Sequence, residues 1–333
     1  MCAQTLMTPR RAVYRIVGQQ FRGINYARVP NRGVIQLKGR DTFKFLQGSM
    51  TSHVKRVEEQ VGELPPASLA AVLNPQGRML ADILLYRVED TEPHVLADAD
   101  VRVIPHLLTF FRRFKLRSKV TLRDASSEFS VFQAWDGECS EVSGASGIVR
   151  EDTRAPGMGW RILFPGDQTP QVVSPEMYKA HRILHGVPEG ADDIREESSL
   201  PLESCMDYMH GVDYHKGCYI GQELTARTHF TGVTRKRIMP VVIGDSTGGK
   251  LELDAQASRD AEIGADVRLV VGDRSRSAGR LLSGVHNISL ALLRLEHVER
   301  VASGNAILQV ETPSGVRSIH AFPPSWWPQN DAS

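Results

Sequence analysis

One short stretch carries reactive side chains at close spacing: Asp213-Tyr-His-Lys-Gly-Cys-Tyr-Ile-Gly-Gln-Glu-Leu-Thr-Ala-Arg227. Its cysteine, Cys218, lies between Gly217 and Gly221, two residues after Lys216 and just ahead of a predicted helix start. Glycine admits positive φ and close backbone approach, so the pair predicts a tight, specially shaped turn. A nearby ammonium and a helix N-terminus both favour thiolate over thiol, and the thiolate is the nucleophile and the metal ligand. The same residues suit, equally well, a small buried cysteine in a tight loop, since free cysteine is among the most buried residue types.

A reactive Cys218 would need help of one of two kinds. As a nucleophile it requires a general base, for which His215 is nearest in sequence. As an iron–sulfur ligand it requires companions, because such clusters normally take four ligands. The other cysteines, Cys2, Cys139 and Cys205, are widely spaced and form no CxxC pair, so further cluster ligands would come from a partner protein or a small thiol. His210 and His229 flank the motif and are candidate supporting groups. No GxGxxG, P-loop, GxSxG, HExxH or EF-hand pattern occurs, which leaves nucleotide-binding, hydrolase and zinc-protease chemistry without support.

The elements that must position this stretch come from a chain of 333 residues, long enough for two or three domains. Apolar residues make up 41% and charged residues 24%, an ordinary balance for a globular protein. No apolar run approaches the roughly 20 residues of a spanning helix, so no membrane partner is expected. The cysteine spacing argues for a reducing compartment. Charge is unevenly placed: residues 1–40 hold eight basic residues and no acid, leaving 32 basic against 39 acidic residues in the rest. An Arg-rich, acid-free N-terminus fits a mitochondrial transit segment, placed at residues 1–30. The acidic remainder counts against a nucleic-acid partner.

Residues 31–125 read as a first α+β domain. Val34–Lys38 alternates as a strand, and Asp41 caps a helix through Leu46. Strands at 68–73 and 79–87 flank the turn Asn74-Pro-Gln-Gly77. A strand at 94–98 precedes a helix opening at Asp100, whose Ile104, Leu107, Leu108 and Phe111 share one face. The helix runs into Arg112, Arg113, Lys115, Arg117 and Lys119, which suit its C-terminal dipole or an anion. A second α+β domain, 126–235, contains strands at 129–135 and 161–164, a flexible Ser140–Gly147 loop, a helix from Ser174 to Gly186, and the Cys218 motif. Short strands from residue 236 to 325 indicate an all-β barrel or sandwich. Trp326 and Trp327 are expected to pack back on the body.

Lys216-Gly-Cys-Tyr-Ile-Gly-Gln-Glu223 resembles the KGCYxGQE signature of the YgfZ branch of the glycine-cleavage T-protein (aminomethyltransferase) superfamily. Phe45-Leu-Gln-Gly-Ser-Met-Thr51, Leu73-Asn-Pro-Gln-Gly-Arg78 with Asp82, Leu116-Arg-Ser-Lys119, Arg182-Ile-Leu-His-Gly-Val-Pro-Glu189 and Lys236-Arg-Ile238 are similar to its other landmarks, in order. The resemblance implies an α+β fold: a three-domain ring of two ferredoxin-like α+β domains and a C-terminal β-barrel around a folate-sized cavity.

It also implies a late-acting iron–sulfur assembly factor of the mitochondrial matrix, working on four-iron four-sulfur clusters with an A-type scaffold partner. Cys218 would be the ligand of a shared, transient cluster, with Lys216, Tyr219, Gln222 and Glu223 shaping the loop around it. Aminomethyltransferases carry paired acids where this chain has Ala81-Asp82, which argues against the transfer reaction while keeping Asp82 as a tetrahydrofolate contact. The alternative is an enzyme, a folate-dependent one-carbon transferase or a tRNA-modification factor using the central cavity.

Overall fold

The computed structural model describes residues 24–60, 65–142, 146–166, 172–244, 250–257, 259 and 261–328. The chain first forms β1 (Asn25–Arg28), β2 (Arg32–Lys38), α1 (Thr42–Ser49), α2 (Lys55–Glu58), β3 (Ser68–Leu73), β4 (Met79–Val88), β5 (His94–Asp100), α3 (Ile104–Phe114) and β6 (Thr121–Asp124). It continues with β7 (Phe129–Trp135), α4 (Cys139–Val142), β8 (Ile148–Glu151), β9 (Trp160–Pro165) and α5 (Pro175–Leu184). A turn-rich segment leads to α6 (Gln222–Thr231), β10 (Lys236–Ile243), β11 (Asp266–Val271), β12 (Arg274–Val285), β13 (Ile288–Arg294), α7 (Leu295–Ala302), β14 (Ile307–Thr312) and β15 (Gly315–Ala321). Three sheets result: β3-β4-β5-β2-β6, β1-β7-β9-β8, and a closed barrel β10-β13-β12-β11-β14-β15.

The runs Ser68–Leu73 and Met79–Tyr86 are buried at every position, the mark of a sheet covered on both faces. On one face Ile35, Leu37, Ile83 and Leu85 share a core with Phe45 and Leu46 of α1 and Leu107 and Phe111 of α3. Phe45 meets Phe111 edge to face at 5.7 Å. On the other face Val34, Leu84, Tyr86 and Leu96 share a core with Val131, Trp135, Leu163 and Tyr178 of the second unit. The two α+β units are therefore fused through one seam. Side chains alternate along a strand, so Asp82 lies on the seam side with Leu84 and Tyr86.

Several expectations shift. β1 pairs with β7, Asn25 opposite Trp135, and Ala27 is fully buried, so residues 25–28, at the end of the segment 1–30, form an edge of the second sheet. Residues 1–23 of the predicted transit segment lie outside the described residues. The α3 helix starts at Ile104, because the Asp100 carboxylate accepts from the Arg102 backbone and guanidinium and closes a turn first. The Ser140–Gly147 loop begins inside α4, and its residues 143–145 lie outside the described residues. α7 was not anticipated; Leu295, Val298 and Val301 pack it on the barrel core. The tail behaves as expected: Trp326 Nε1 donates to His185 O at 2.9 Å, and Trp327 lies 5.5 Å from the Tyr208 ring.

Two buried histidines near the seam make stability pH-dependent. His181 stacks on Trp135 at 4.9 Å, and burial, with His185 adding to it, holds its pKa well below the usual value. Burial lowers His185 as well. As pH falls below about 6.5 the unfolded chain takes up protons first, so stability is expected to decline from there, ahead of carboxylate titration near about pH 4. Thermal melts between about pH 7.5 and 5.5 check this; an unchanged midpoint contradicts it.

Candidate functional site

Cys218 is exposed on the loop that enters α6. Landmarks from distant parts of the sequence converge on this loop. The Lys216 ammonium donates to the carbonyls of Gln47 (2.8 Å), Met50 (2.5 Å) and Ser52 (2.9 Å), and lies 4.8 Å from the Tyr219 ring. Ile220 N donates to Gly48 O at 3.1 Å, and Asp213 N to Thr51 O at 3.0 Å. The Thr51 hydroxyl donates to Gly211 O and accepts from Ala71 N, tying the same segment to β3. The segment from Phe45 to Ser52 is thus the bed on which the cysteine loop lies.

The Asn74–Gly77 turn supplies the second wall. Its geometry is fixed by Gly77 N donating to Asn74 O and by the Asn74 side-chain oxygen accepting from the backbones of Gln76 and Arg78. Gly77 (φ +81°) and Gly221 (φ +77°) interlock. A Cβ on Gly77 would lie 2.8 Å from Leu224 Cβ, and one on Gly221 would collide with Asn74 O. Gly217 differs, with open space beside it, so the special turn is made at Gly221. Gly221→Ala is expected to cost at least about 2 kcal/mol, from left-handed strain plus the collision. Hydrogen exchange across residues 213–223 should accelerate; unchanged exchange and an unchanged melt contradict this.

The expected roles around the thiol are redistributed. Lys216 spends its charge on three carbonyls, and burial lowers its pKa to about 8, so it holds the loop's shape and is not a cation directed at Cys218. Gln222 Oε1 accepts from Tyr219 N at 3.1 Å and turns the chain into α6. Tyr219 is half-buried, its pKa pushed up to about 12 by burial, and Glu223 is exposed in the first helical turn. Among the described residues the His215 ring has no hydrogen-bond partner, so no base is aligned on Cys218. His229 stacks on Tyr214 at 3.5 Å and 9°, clamping the loop to the end of α6, while the His210 carbonyl accepts from Arg56. Cys205, by contrast, is a core thiol: it is fully buried, donates to Ile238 O at 3.3 Å, and burial raises its pKa to about 12. Among the described residues no three His, Cys, Asp or Glu side chains come together as a metal-binding group.

Asp82 sits elsewhere, inside the seam, 2% exposed. One of its oxygens accepts from Arg32 at 2.7 Å and the other from Gly190 N at 3.0 Å. Arg32 also binds Asp98, which accepts from Tyr86 (2.5 Å) and Arg161 (3.1 Å). Arg161 and Arg154 converge on Glu189 at 2.8 and 2.6 Å, and Arg154 pairs with Asp152. Burial opposes the charges of Arg32, Asp98, Arg154, Arg161 and Glu189. Arg161 and Arg32 nevertheless hold Asp98 below the usual carboxylate range, and Arg161 and Arg154 hold Glu189 well below it.

These residues do not fit a folate contact at Asp82, because both of its carboxylate oxygens already accept hydrogen bonds. The cleft bordered by Arg32, Tyr178, Lys179 and Glu189 is about 230 Å³, below the usual range of small-molecule sites, and Asp82 does not line it. The network escaped sequence reading because arginines are usually exposed. The available signal was an aspartate inside an otherwise apolar strand, which demands a buried partner.

Comparisons with known proteins bear on the whole chain. Residues 235–329 match the family described as "CAF17, C-terminal beta-barrel domain". The chain is 39% identical to "Iron-sulfur cluster assembly factor IBA57 homolog, mitochondrial" of Mycosarcoma maydis, covering 91% of this chain and 85% of the relative. It is 34% identical to "Iron-sulfur cluster assembly factor IBA57, mitochondrial" of Mus musculus, covering 90% and 85%. In three dimensions it is similar to the glycine cleavage system aminomethyltransferase T from Bartonella henselae, with a TM-score of 0.64 over 91% of this chain and 86% of that one. At 11% identity that likeness concerns the fold alone.

Proposed function

Because the chain belongs to the IBA57 family of iron–sulfur cluster assembly factors, we propose that it assists maturation of four-iron four-sulfur proteins in the mitochondrial matrix, with Cys218 as its single ligand to a cluster held jointly with an A-type scaffold. The observation that carries this reading is an exposed thiol on a loop fastened from both sides, with no group of three metal-ligating side chains at it among the described residues. The cluster is cargo. Cys218 would take the place of one ligand on iron, its thiol proton passing to the ligand that leaves as the Fe–S bond forms, without any change in oxidation state. Lys216, Gly221 and Gln222 keep the sulfur presented to solvent by fixing the backbone beneath it.

A folate-dependent transferase finds no support at Asp82. The acidic balance beyond residue 40 weighs against a tRNA substrate. The test is anaerobic mixing with an A-type scaffold carrying a cluster, followed by size-exclusion chromatography with absorption detection. A cluster-bearing complex of the two proteins is expected. Recovery of the scaffold with its cluster and of this protein without one counts against the reading.

A further inference from the structure

Beside the cysteine loop, α6 carries a second surface feature with no assigned role. Phe230 and Val233 are 66% and 77% exposed, although each is a large apolar side chain. Val233 forms one edge of a pocket of about 280 Å³ whose floor includes Leu200, Leu202, Leu224 and Thr228. That volume is just below the range for small-molecule sites and suits one or two side chains used as anchors. Arg235 and Arg294 stand at the same pocket, and Arg227 is exposed on the helix. Among the described residues none of these three arginines has a carboxylate partner. Lys236 makes only a 3.9 Å contact with Glu203.

Phe230 links the end of α6 to the cysteine loop. Phe230 packs edge-on to Tyr214 at 6.0 Å, and Tyr214 stacks on His229. Tyr214 and Cys218 are four residues apart, so their Cα atoms are separated by at most about 14 Å. A standard protein interface covers about 800 Å² on each partner, a disc of roughly 16 Å radius. Cys218 lies at most about 14 Å from Gln222, and Phe230 lies about 12 Å further along α6, so one interface about 32 Å across can hold both.

We infer that the outer side of α6 and its pocket form the docking surface for the protein that shares the cluster, and that the docking segment is acidic with an apolar anchor. This inference rests on Cys218 being a shared ligand. The apolar anchor follows from Phe230, Val233 and the pocket, and the acidic character from the unpaired arginines. Contact residues of this kind set the lifetime of a complex, and the charges add rate and salt dependence.

The experiment measures the affinity of a cluster-loaded A-type scaffold, anaerobically and at two salt concentrations. It compares the wild type with Phe230→Asp/Val233→Asp and with Arg235→Glu/Arg294→Glu. The substituted apolar residues are exposed, and a thermal melt confirms that each variant is folded. The apolar variant is expected to bind at least about tenfold more weakly, and the charge-reversed variant to lose affinity and most of its salt dependence. Wild-type affinity in both variants overturns the docking surface alone. If the wild type forms no complex, the Cys218 reading falls and this inference with it. Self-association of the wild type that Phe230→Asp/Val233→Asp abolishes would assign the surface to a second copy of the chain and also overturn the proposal.

Discussion

Cys218→Ser is expected to abolish the shared cluster while leaving the fold intact. Sulfur is soft and is displaced from its proton at accessible pH, whereas a serine hydroxyl is a hard, weakly acidic oxygen that iron–sulfur clusters rarely accept. Cluster-bridged binding should weaken at least about tenfold, equivalent to about 1.4 kcal/mol. The EPR and visible absorption of the mixture should remain those of the scaffold alone. Because the side chain is exposed and touches no core, the cost in stability should stay within about 0.5 kcal/mol.

Cys205→Ser provides the contrast. Its sulfur is buried against Ile238 O, so the hydroxyl enters a site shaped for a thiol and is expected to cost about 1–3 kcal/mol without touching the cluster. A Cys218→Ser protein that still forms the same complex and spectrum would sink the ligand assignment. So would a Cys205→Ser protein that folds normally and loses the cluster.

How far the sequence could lead is clear from particular residues. The β3–β4 hairpin was legible because its two apolar runs flank a turn whose proline and glycine have one obvious use. The barrel strands were legible from their alternation. The Cys218 motif stood out as chemistry, yet its surroundings did not. The partner of Gly221 is a carbonyl some 150 positions earlier, and nothing in a linear pattern tells a glycine in a tight turn from one pressed against another loop. The contacts of Lys216 are hidden for the same reason. Proximity in sequence to Cys218 suggested an electrostatic role beside the loop-shaping one, and a four-carbon stem lets the ammonium reach carbonyls in the last turn of α1 and just after it. The four residues of β1 are too few to show a period, and their pairing with β7 spans more than 100 residues. The folate contact came from resemblance. The reach of Arg32 across two strands to Asp82 and Asp98, which occupies one Asp82 oxygen, is not visible in a linear pattern.

The seam network makes an asymmetric forecast. The side chains joined there by direct hydrogen bonds include three guanidiniums, Arg32, Arg154 and Arg161, and four carboxylates, Asp82, Asp98, Asp152 and Glu189, with Tyr86 and Tyr178 as additional donors. Positive charge is the scarcer component, so losing an arginine should cost more than neutralising an acid. Arg161→Leu strips donors from Asp98 and Glu189 at once, leaving two buried carboxylates short of compensation on opposite sides of the seam. The expected loss is about 3–5 kcal/mol, the range for breaking a buried pair by removing one partner. Asp82→Asn keeps an oxygen for Gly190 N and relieves the excess of acid, so about 1 kcal/mol is expected.

Denaturant midpoints for the two variants measure the difference. Equal losses would mean that the seam is held by packing, with charge order irrelevant. The same pair also probes what Asp82 is for. If it serves a folate, tetrahydrofolate should raise the melting temperature of the wild type and Asp82→Asn should cancel that rise. If it is a clamp between the two α+β units, tetrahydrofolate should leave both melts where they were, and Arg161→Leu alone should loosen the frame on which the Cys218 loop is carried.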